Sequence, residues 1–351
     1  MTPDFWRGKK VLVTGHTGFK GGWLSLWLQR CGAVVQGYSL PVATRPALFQ
    51  VARVAQGVAH TEGDIRDLPS LRASMESAQP EIVFHLAAQA LVRQSYLDPI
   101  DTMTSNVLGT MNVLETVRTT PSVKAVVMIT SDKCYENREW LWPYRENEGL
   151  GGRDPYSASK ACAEIVTAAW RSSFLADRGV LIATARAGNV IGGGDWAADR
   201  LVPDALRNWQ SNTPLQVRYP QAVRPWQHVL EPLSGYLMLA EKLYAGTAAD
   251  AWNFGPADAD MRPVNQLLDR LAGLWGEGAA WHADPQLHPH EAGLLRLDSS
   301  KARSLLGWRP KYSIDQALER VVEWHRAWLA GEDMHDFTLS QIEHYMALQH
   351  E

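Results

Sequence analysis

Val11-Leu12-Val13-Thr14-Gly15-His16-Thr17-Gly18-Phe19-Lys20-Gly21 is the stretch on which the fold turns. Its first four residues read as a buried strand, and the apolar pattern over residues 23–31 reads as a helix. Between them the glycines stand in a G-x-x-G-x-x-G spacing. Gly15 permits the tight turn, Gly18 lets backbone amides approach a pyrophosphate, and Gly21 lets the helix lie against the sheet. The helix then aims its positive N-terminal end at the phosphates. Glycine spacing alone is a weak signal; the strand–turn–helix context makes this a dinucleotide loop, with Thr17, Phe19 and Lys20 as further members.

Outward from this loop, short apolar runs alternate with helical patterns. Strands are expected at 34–38, 58–60, 82–86, 125–130 and 180–185, and helices at 99–118 and 155–176. Continuous apolar strands separated by helices predict an α/β protein with a doubly wound parallel sheet of the Rossmann type. After Gly188 the pattern breaks up. Gly192-Gly193-Gly194, Pro203, Pro214, Pro220 and Pro225 mark loops, with helices expected at 232–244, 264–274 and 314–328. The expected division is a nucleotide-binding domain over 1–187 and a smaller mixed α/β lobe over 188–351. Segments of that lobe are free to return to the first domain.

Composition narrows the partners. The 351 residues carry a formal net charge of −4, so no global basic field points to nucleic acid or an anionic membrane. No apolar run approaches the ~18 residues of a membrane span, and the N-terminus lacks the pattern of a signal peptide. Three widely spaced cysteines, Cys31, Cys134 and Cys162, suggest neither a disulfide framework nor zinc. A cytoplasmic location fits. His282, His288 and His290 invite a metal reading, but no carboxylate arrangement supports it, and no metal is expected.

At the end of the second strand the acidic residue that usually holds the adenine ribose is missing: the chain reads Gly37-Tyr38-Ser39-Leu40. NAD and NADP therefore stay open on strand-two chemistry, with Arg45 near in sequence. Asp64-Ile65 follows the third strand as a candidate for the adenine edge. The fourth runs into Leu86-Ala87-Ala88-Gln89, whose small residues leave room for the middle of a cofactor.

The reacting groups come later. Tyr156 and Lys160 lie one helical turn apart, on one face. An ammonium beside a phenol favours phenolate and is expected to lower the tyrosine from its usual ~10, giving a base for a sugar hydroxyl. Ser131-Asp132-Lys133 follows the fifth strand, at the end where ligands bind in such sheets. Ser131 suits a hydrogen bond to a reacting oxygen. Asp132 and Lys133 supply an acid and a base that hydride transfer alone does not need, so a further proton-transfer step is expected.

These residues resemble the extended short-chain dehydrogenase/reductase family. The resemblance spans nearly the whole chain: Gly15-x-x-Gly18-x-x-Gly21, His85-Leu86-Ala87-Ala88, Asn106-x-x-Gly109-Thr110, Tyr156-x-x-x-Lys160, Arg186-x-x-Asn189-Val190 and Leu306-Gly307-Trp308-x-Pro310. It implies NAD as cofactor, with Asn106 at its site, and a nucleotide sugar as substrate. Within the family the chain is similar to the 4,6-dehydratases. Members acting on dTDP-glucose carry Asp-Glu where this chain has Asp132-Lys133, which favours the CDP-glucose branch. The resemblance implies C4 oxidation with Tyr156 as base, loss of water across C5 and C6, and hydride return to C6. Asp132 would be the acid, and Lys133 either a neutral base or a cationic stabiliser. Asn189, Arg200 and Arg224 are candidates for the substrate diphosphate. A homodimer through the helices near 99–118 and 155–176 is also implied; Met103, Val107, Met111 and Leu114 follow roughly helical spacing there. A nucleotide-sugar 4-epimerase and a non-catalytic cofactor-binding sensor are the competing readings.

Overall fold

The computed structural model describes residues 1–286 and 292–349. Its strands, in chain order, are β1 (Lys10–Thr14), β2 (Val34–Ser39), β3 (Val58–Glu62), β4 (Ile82–His85), β5 (Ala125–Ile129), β6 (Leu181–Ala187), β7 (Asn189–Ile191), β8 (Leu215–Val217), β9 (Val223–His228), β10 (Ala251–Phe254), β11 (Met261–Pro263) and β12 (Trp281–Ala283). Seven of them form one sheet in the order β10-β6-β5-β4-β1-β2-β3, every neighbouring pair parallel. This is the doubly wound arrangement, extended at one edge by β10 from the second half of the chain.

Both sheet faces are covered, and the side-chain period of two shows which residue serves which face. Val11 and Val13 join Trp23, Trp27, Leu230 and Leu237 in one core cluster. Leu12, between them, joins Leu71, Met75, Val113 and Val117 on the opposite face. β4 and β5 are buried throughout, as central strands must be. The remaining strands make a three-stranded sheet, β11-β9-β7, and a pair, β12-β8. They pack with helices Leu201–Gln210, Val264–Trp275 and Ile314–Leu329 in a separate core.

Several local expectations change. The helix after β1 begins at Phe19 and not at residue 23, with Gly18 as its cap, so the glycine loop runs into the helix without a gap. The expected helix at 99–118 is Pro99–Met103, a π-turn Thr104–Leu108 and Gly109–Thr119. The π-turn changes the phase of the helix. Leu114 enters the core while Met103, Val107 and Met111 remain half-buried, so the four share no single face. Pro203 does not mark a loop; it sits in the first turn of Leu201–Gln210, where its missing N–H has no intrahelical acceptor. Pro225 lies within β9. The C-terminal helix Met334–Ala347 was not anticipated.

Candidate functional site

A cavity of about 1420 Å³ lies outside the carboxyl ends of β1, β4 and β5 and continues under the second lobe. Single-ligand pockets usually measure about 300–1,000 Å³; this one has room for two molecules end to end. Gly15, Thr17, Gly18, Phe19, Lys20 and Gly21 line one end, with Asp64, Ile65, Leu86, Ala87, Ala88 and Gln89 beside them. Ser131, Asp132, Lys133, Tyr156 and Lys160 line the middle, and Asn189, Arg200 and Arg224 the approach to the second lobe. Of the residues expected to bind cofactor or substrate or to react, Asn106 is the one outside the lining. Its amide is buried behind the wall, accepting from Gln89 N at 2.9 Å and donating to Gln89 O at 2.9 Å and Ser159 Oγ at 2.8 Å. It shapes the cavity by holding the Gln89 backbone.

The glycine loop is built for close approach. Gly15 has φ of 76°, and a Cβ there would stand 2.7 Å from Ala87 N. A Cβ on Gly21 would meet Gly15 O at 2.2 Å. At the adenosine end, Ser39 Oγ and Thr17 Oγ1 are 2.7 Å apart, in the place of the missing acid. Asp64 does not present a free carboxylate: Arg66, unremarked in the sequence, grips it with contacts of 2.6–3.0 Å and reaches Asp101 at 2.6 Å. The Arg66 guanidinium holds the Asp64 carboxyl below its ordinary range. Arg45 is exposed and outside the lining.

Tyr156 and Lys160 are set by the start of helix Pro155–Trp170. Asp154 caps it, accepting from Ser157 N at 2.9 Å and Ser157 Oγ at 2.6 Å, and Pro155 opens the first turn. The expected lowering of Tyr156 is not what the structure has. Burial pushes the Tyr156 phenol up to about 12, against the neighbouring Ser131 hydroxyl and the cation of Arg200. The same burial brings Lys160 down to about 8. Both groups lose hydration together, so the pair in the protein alone is a neutral phenol beside a weakly held ammonium. Among the described residues the Lys160 ammonium makes no side-chain hydrogen bond, and it opens into the cavity. Lys20 is likewise brought down to about 8, by burial and then by Arg200 and Lys160.

Ser131 and Asp132 are tied to each other. Ser131 Oγ donates to Asp132 Oδ1 at 3.0 Å and accepts from Lys133 N at 3.2 Å. Asp132 Oδ2 is buried and has no partner among the described residues. An unpaired buried acceptor costs about 1–3 kcal/mol, and Asp132 is among the residues that line the cavity. Arg200 is held by Asp195 at 2.8 Å, and Asp195 sits in the glycine run before Trp196, which packs on Trp324 and Trp328. Asp195 was visible in that run; its role as the anchor of Arg200 needed the structure. His282 lies on β12, whereas His288 and His290 lie outside the described residues. Among the described residues no group of three His, Cys, Asp or Glu side chains is arranged to hold a metal.

A Rossmann sheet, a glycine loop and a Ser–Tyr–Lys set in one cavity define a nicotinamide-type oxidoreductase scaffold adapted to a second, extended ligand. The chain belongs to the GDP-mannose 4,6 dehydratase family, whose model matches residues 12–321. It is 53% identical over 351 residues to the CDP-glucose 4,6-dehydratase of Salmonella typhimurium, covering 98% of each chain. It is 26% identical to a UDP-glucose 4-epimerase of Mycolicibacterium smegmatis, over 90% of this chain and 98% of that one. Among solved structures, UDP-glucose 4-epimerase of Thermotoga maritima with UDP-glucose superposes with a TM-score of 0.81 at 24% identity, covering 91% of this chain and 99% of that one. The dTDP-glucose 4,6-dehydratase of Bacillus anthracis in complex with NAD gives 0.76 at 19%, covering 91% and 97%. The expected α/β Rossmann fold and family are those found.

Proposed function

We propose that the chain is a CDP-glucose 4,6-dehydratase that uses NAD as an internal redox carrier and makes CDP-4-dehydro-6-deoxyglucose. One observation carries the reading: Asp132 and Lys133 open into the cavity that also holds Tyr156 and Lys160. An epimerase needs only the second pair. The relative at 53% identity supports the cytidine nucleotide.

The residues present fit a dinucleotide. Gly15 and Gly21 leave no space for a side chain, and the Lys160 ammonium has an open hydrogen-bonding position. Arg66 is already engaged by Asp64 and Asp101, which favours a ribose hydroxyl over a 2′-phosphate there. Bound in this loop, NAD supplies a hydride acceptor for C4 and a hydride donor for C6. Tyr156 takes the C4 hydroxyl proton, with Ser131 hydrogen-bonded to the same oxygen. The C4 carbonyl acidifies C5–H, and Lys133 removes that proton and returns it to C5 when C6 receives hydride. Asp132, through Oδ2, gives a proton to the departing C6 hydroxyl. Asn189, Arg200 and Arg224 hold the diphosphate.

The test is a panel of nucleotide-glucose substrates with NAD. CDP-glucose is expected to give a 4-keto-6-deoxy product with an alkali-induced near-ultraviolet chromophore. CDP-galactose as product would make the chain an epimerase, and no reaction would remove the substrate assignment.

A homodimer and a cytoplasmic location complete the reading. Leu97, Ile100, Leu108, Ile165 and Phe174 are exposed on the packed helical group 92–119 and 155–175, an apolar surface that a second copy would cover. Three free cysteines suit a reducing compartment, and no described helix is long and apolar enough to cross a membrane. Leu97→Glu with Ile100→Glu is expected to halve the mass seen in sedimentation without unfolding the monomer, because both side chains are exposed. A monomeric wild type, or a double variant of unchanged mass, overturns the dimer.

A further inference from the structure

Behind the reacting residues lies a buried polar cluster that the proposed chemistry does not use. Glu164 is one turn beyond Lys160, so the helix presents Tyr156, Lys160 and Glu164 on successive turns. The Glu164 carboxylate is fully engaged. Arg186 Nε donates to Oε1 at 2.9 Å and Nη2 to Oε2 at 2.8 Å. Thr130 Oγ1 donates to Oε1 at 2.5 Å and Thr184 Oγ1 to Oε2 at 2.7 Å. Arg186 reaches further: Nη1 donates to Tyr135 Oη at 2.8 Å and to Glu146 O at 3.1 Å, and the guanidinium lies 4.8 Å from the centre of the Tyr135 ring. Tyr135 Oη in turn donates to Asn253 Oδ1 on β10 at 2.7 Å.

The places of these contacts in the chain matter. Thr130 immediately precedes Ser131-Asp132-Lys133, and Tyr135 follows one residue after it. The pair thus grips both ends of the segment carrying the elimination residues. Through Glu164 it joins that segment to the helix carrying the oxidation residues. Stability alone does not explain such a pair, because buried ion pairs are often matched or bettered by apolar packing, and fixing register is their best-attested use.

We infer that Glu164 and Arg186 are positioning residues that hold Ser131, Asp132 and Lys133 in register with Tyr156 and Lys160, so that oxidation and elimination act on one sugar in one pose. The inference rests on the dehydratase reading and concerns how its two half-reactions stay aligned. Oxidation draws its base, Tyr156, from the helix and only the Ser131 hydrogen bond from the gripped segment, whereas elimination draws both its acid and its base from that segment. Loosening the grip therefore slows elimination more than oxidation. With NAD held in the glycine loop, the cofactor would carry the C4 hydride between the two steps while Tyr156 keeps the C4 hydroxyl proton, so a stalled elimination would leave reduced cofactor and a 4-keto sugar.

Thr130→Val and Tyr135→Phe each remove one tether and leave the Glu164–Arg186 pair in place. NAD-loaded enzyme is mixed with CDP-glucose in a single turnover and followed at 340 nm, where the rise reports oxidation and the decay reports elimination with hydride return. Wild type is run first: if it gives no 4-keto-6-deoxy product, the functional reading fails and this inference with it. Given an active wild type, both variants are expected to slow the decay by about tenfold or more, as sub-ångström misplacement does, with the rise slowed by less than about threefold. Reduced cofactor then accumulates. A purely structural role would lower rise and decay together and show no accumulation. Equal losses, or decay rates at the wild-type value, overturn the inference. Should either variant fail to fold, the other decides; Glu164→Gln, which keeps an acceptor for Thr130, is expected to show the same imbalance.

Discussion

Tyr156→Phe is expected to lower kcat by about 10²–10⁴-fold while NAD binding stays nearly unchanged, since general acid–base residues contribute on that scale. The phenylalanine keeps the ring in its buried position and deletes only the group that takes the C4 hydroxyl proton. Retained cofactor binding with lost turnover also excludes a sensor, in which binding alone would be the output. The pH profile carries more detail. Burial pushes Tyr156 up to about 12 in the protein alone, so at neutral pH the phenol is protonated. A base must be deprotonated to act, hence the rate rises with pH on the acid side, and any cation brought beside the phenol moves that limb downward. Lys160, brought down to about 8 by burial, works in the opposite sense: its charge is present below about 8 and fades above it. An alkaline limb near 8 is therefore expected, and Lys160→Arg should move it upward, because arginine keeps its charge. A Tyr156→Phe enzyme that turns over at the wild-type rate sinks the assignment of the base. An alkaline limb that does not move in Lys160→Arg assigns that limb to another group.

Much of this arrangement was legible before the structure because its signals are local. The strand–glycine–helix unit needs only neighbouring residues to be recognised, and Tyr156 and Lys160 share a face through the repeat of one helix. The cavity gathers these with Ser131, Asp132 and Lys133 because all lie at carboxyl ends of parallel strands, a consequence of topology. What stayed hidden depends on long-range packing. Arg66 stands two residues from Asp64, yet nothing local says that it neutralises that carboxylate. Asn106 reads as a site residue but spends its amide on the Gln89 backbone. The downward shift expected for Tyr156 failed because spacing reports proximity and not hydration. The π-turn at Thr104–Leu108 interrupts the helix expected over 99–118, which a regular helical count does not anticipate. Glu164 and Arg186 come from different elements, and only the fold reveals that they pair and between them engage Thr130, Thr184, Tyr135 and the Glu146 carbonyl.

Lys133 stands where the resemblance places a glutamate in the dTDP-glucose enzymes, and its replacement is expected to have the second large effect. Lys133→Met should reduce product formation by about 10²–10⁴-fold, the usual contribution of a positioned base, while C4 oxidation proceeds and reduced cofactor builds up. The side chain stands for either of two roles, a neutral amine that removes the C5 proton or an ammonium that steadies the enolate. Lys133→Arg separates them, because arginine keeps the cation and cannot accept a proton at working pH. The cavity already contains Lys20, Lys160 and Arg200 beside Tyr156 and Asp132. Enolate charge thus has cations to meet without a further one. Lys133→Arg is therefore expected to be as inactive in dehydration as Lys133→Met, with the same accumulation at 340 nm. Lys133→Glu, which restores the Asp-Glu pairing of the dTDP-glucose enzymes, should recover part of the elimination rate because a carboxylate accepts the proton again. Should Lys133→Arg dehydrate CDP-glucose near the wild-type rate and Lys133→Glu remain inactive, the cationic role would stand and the base would have to be sought in another group of the cavity.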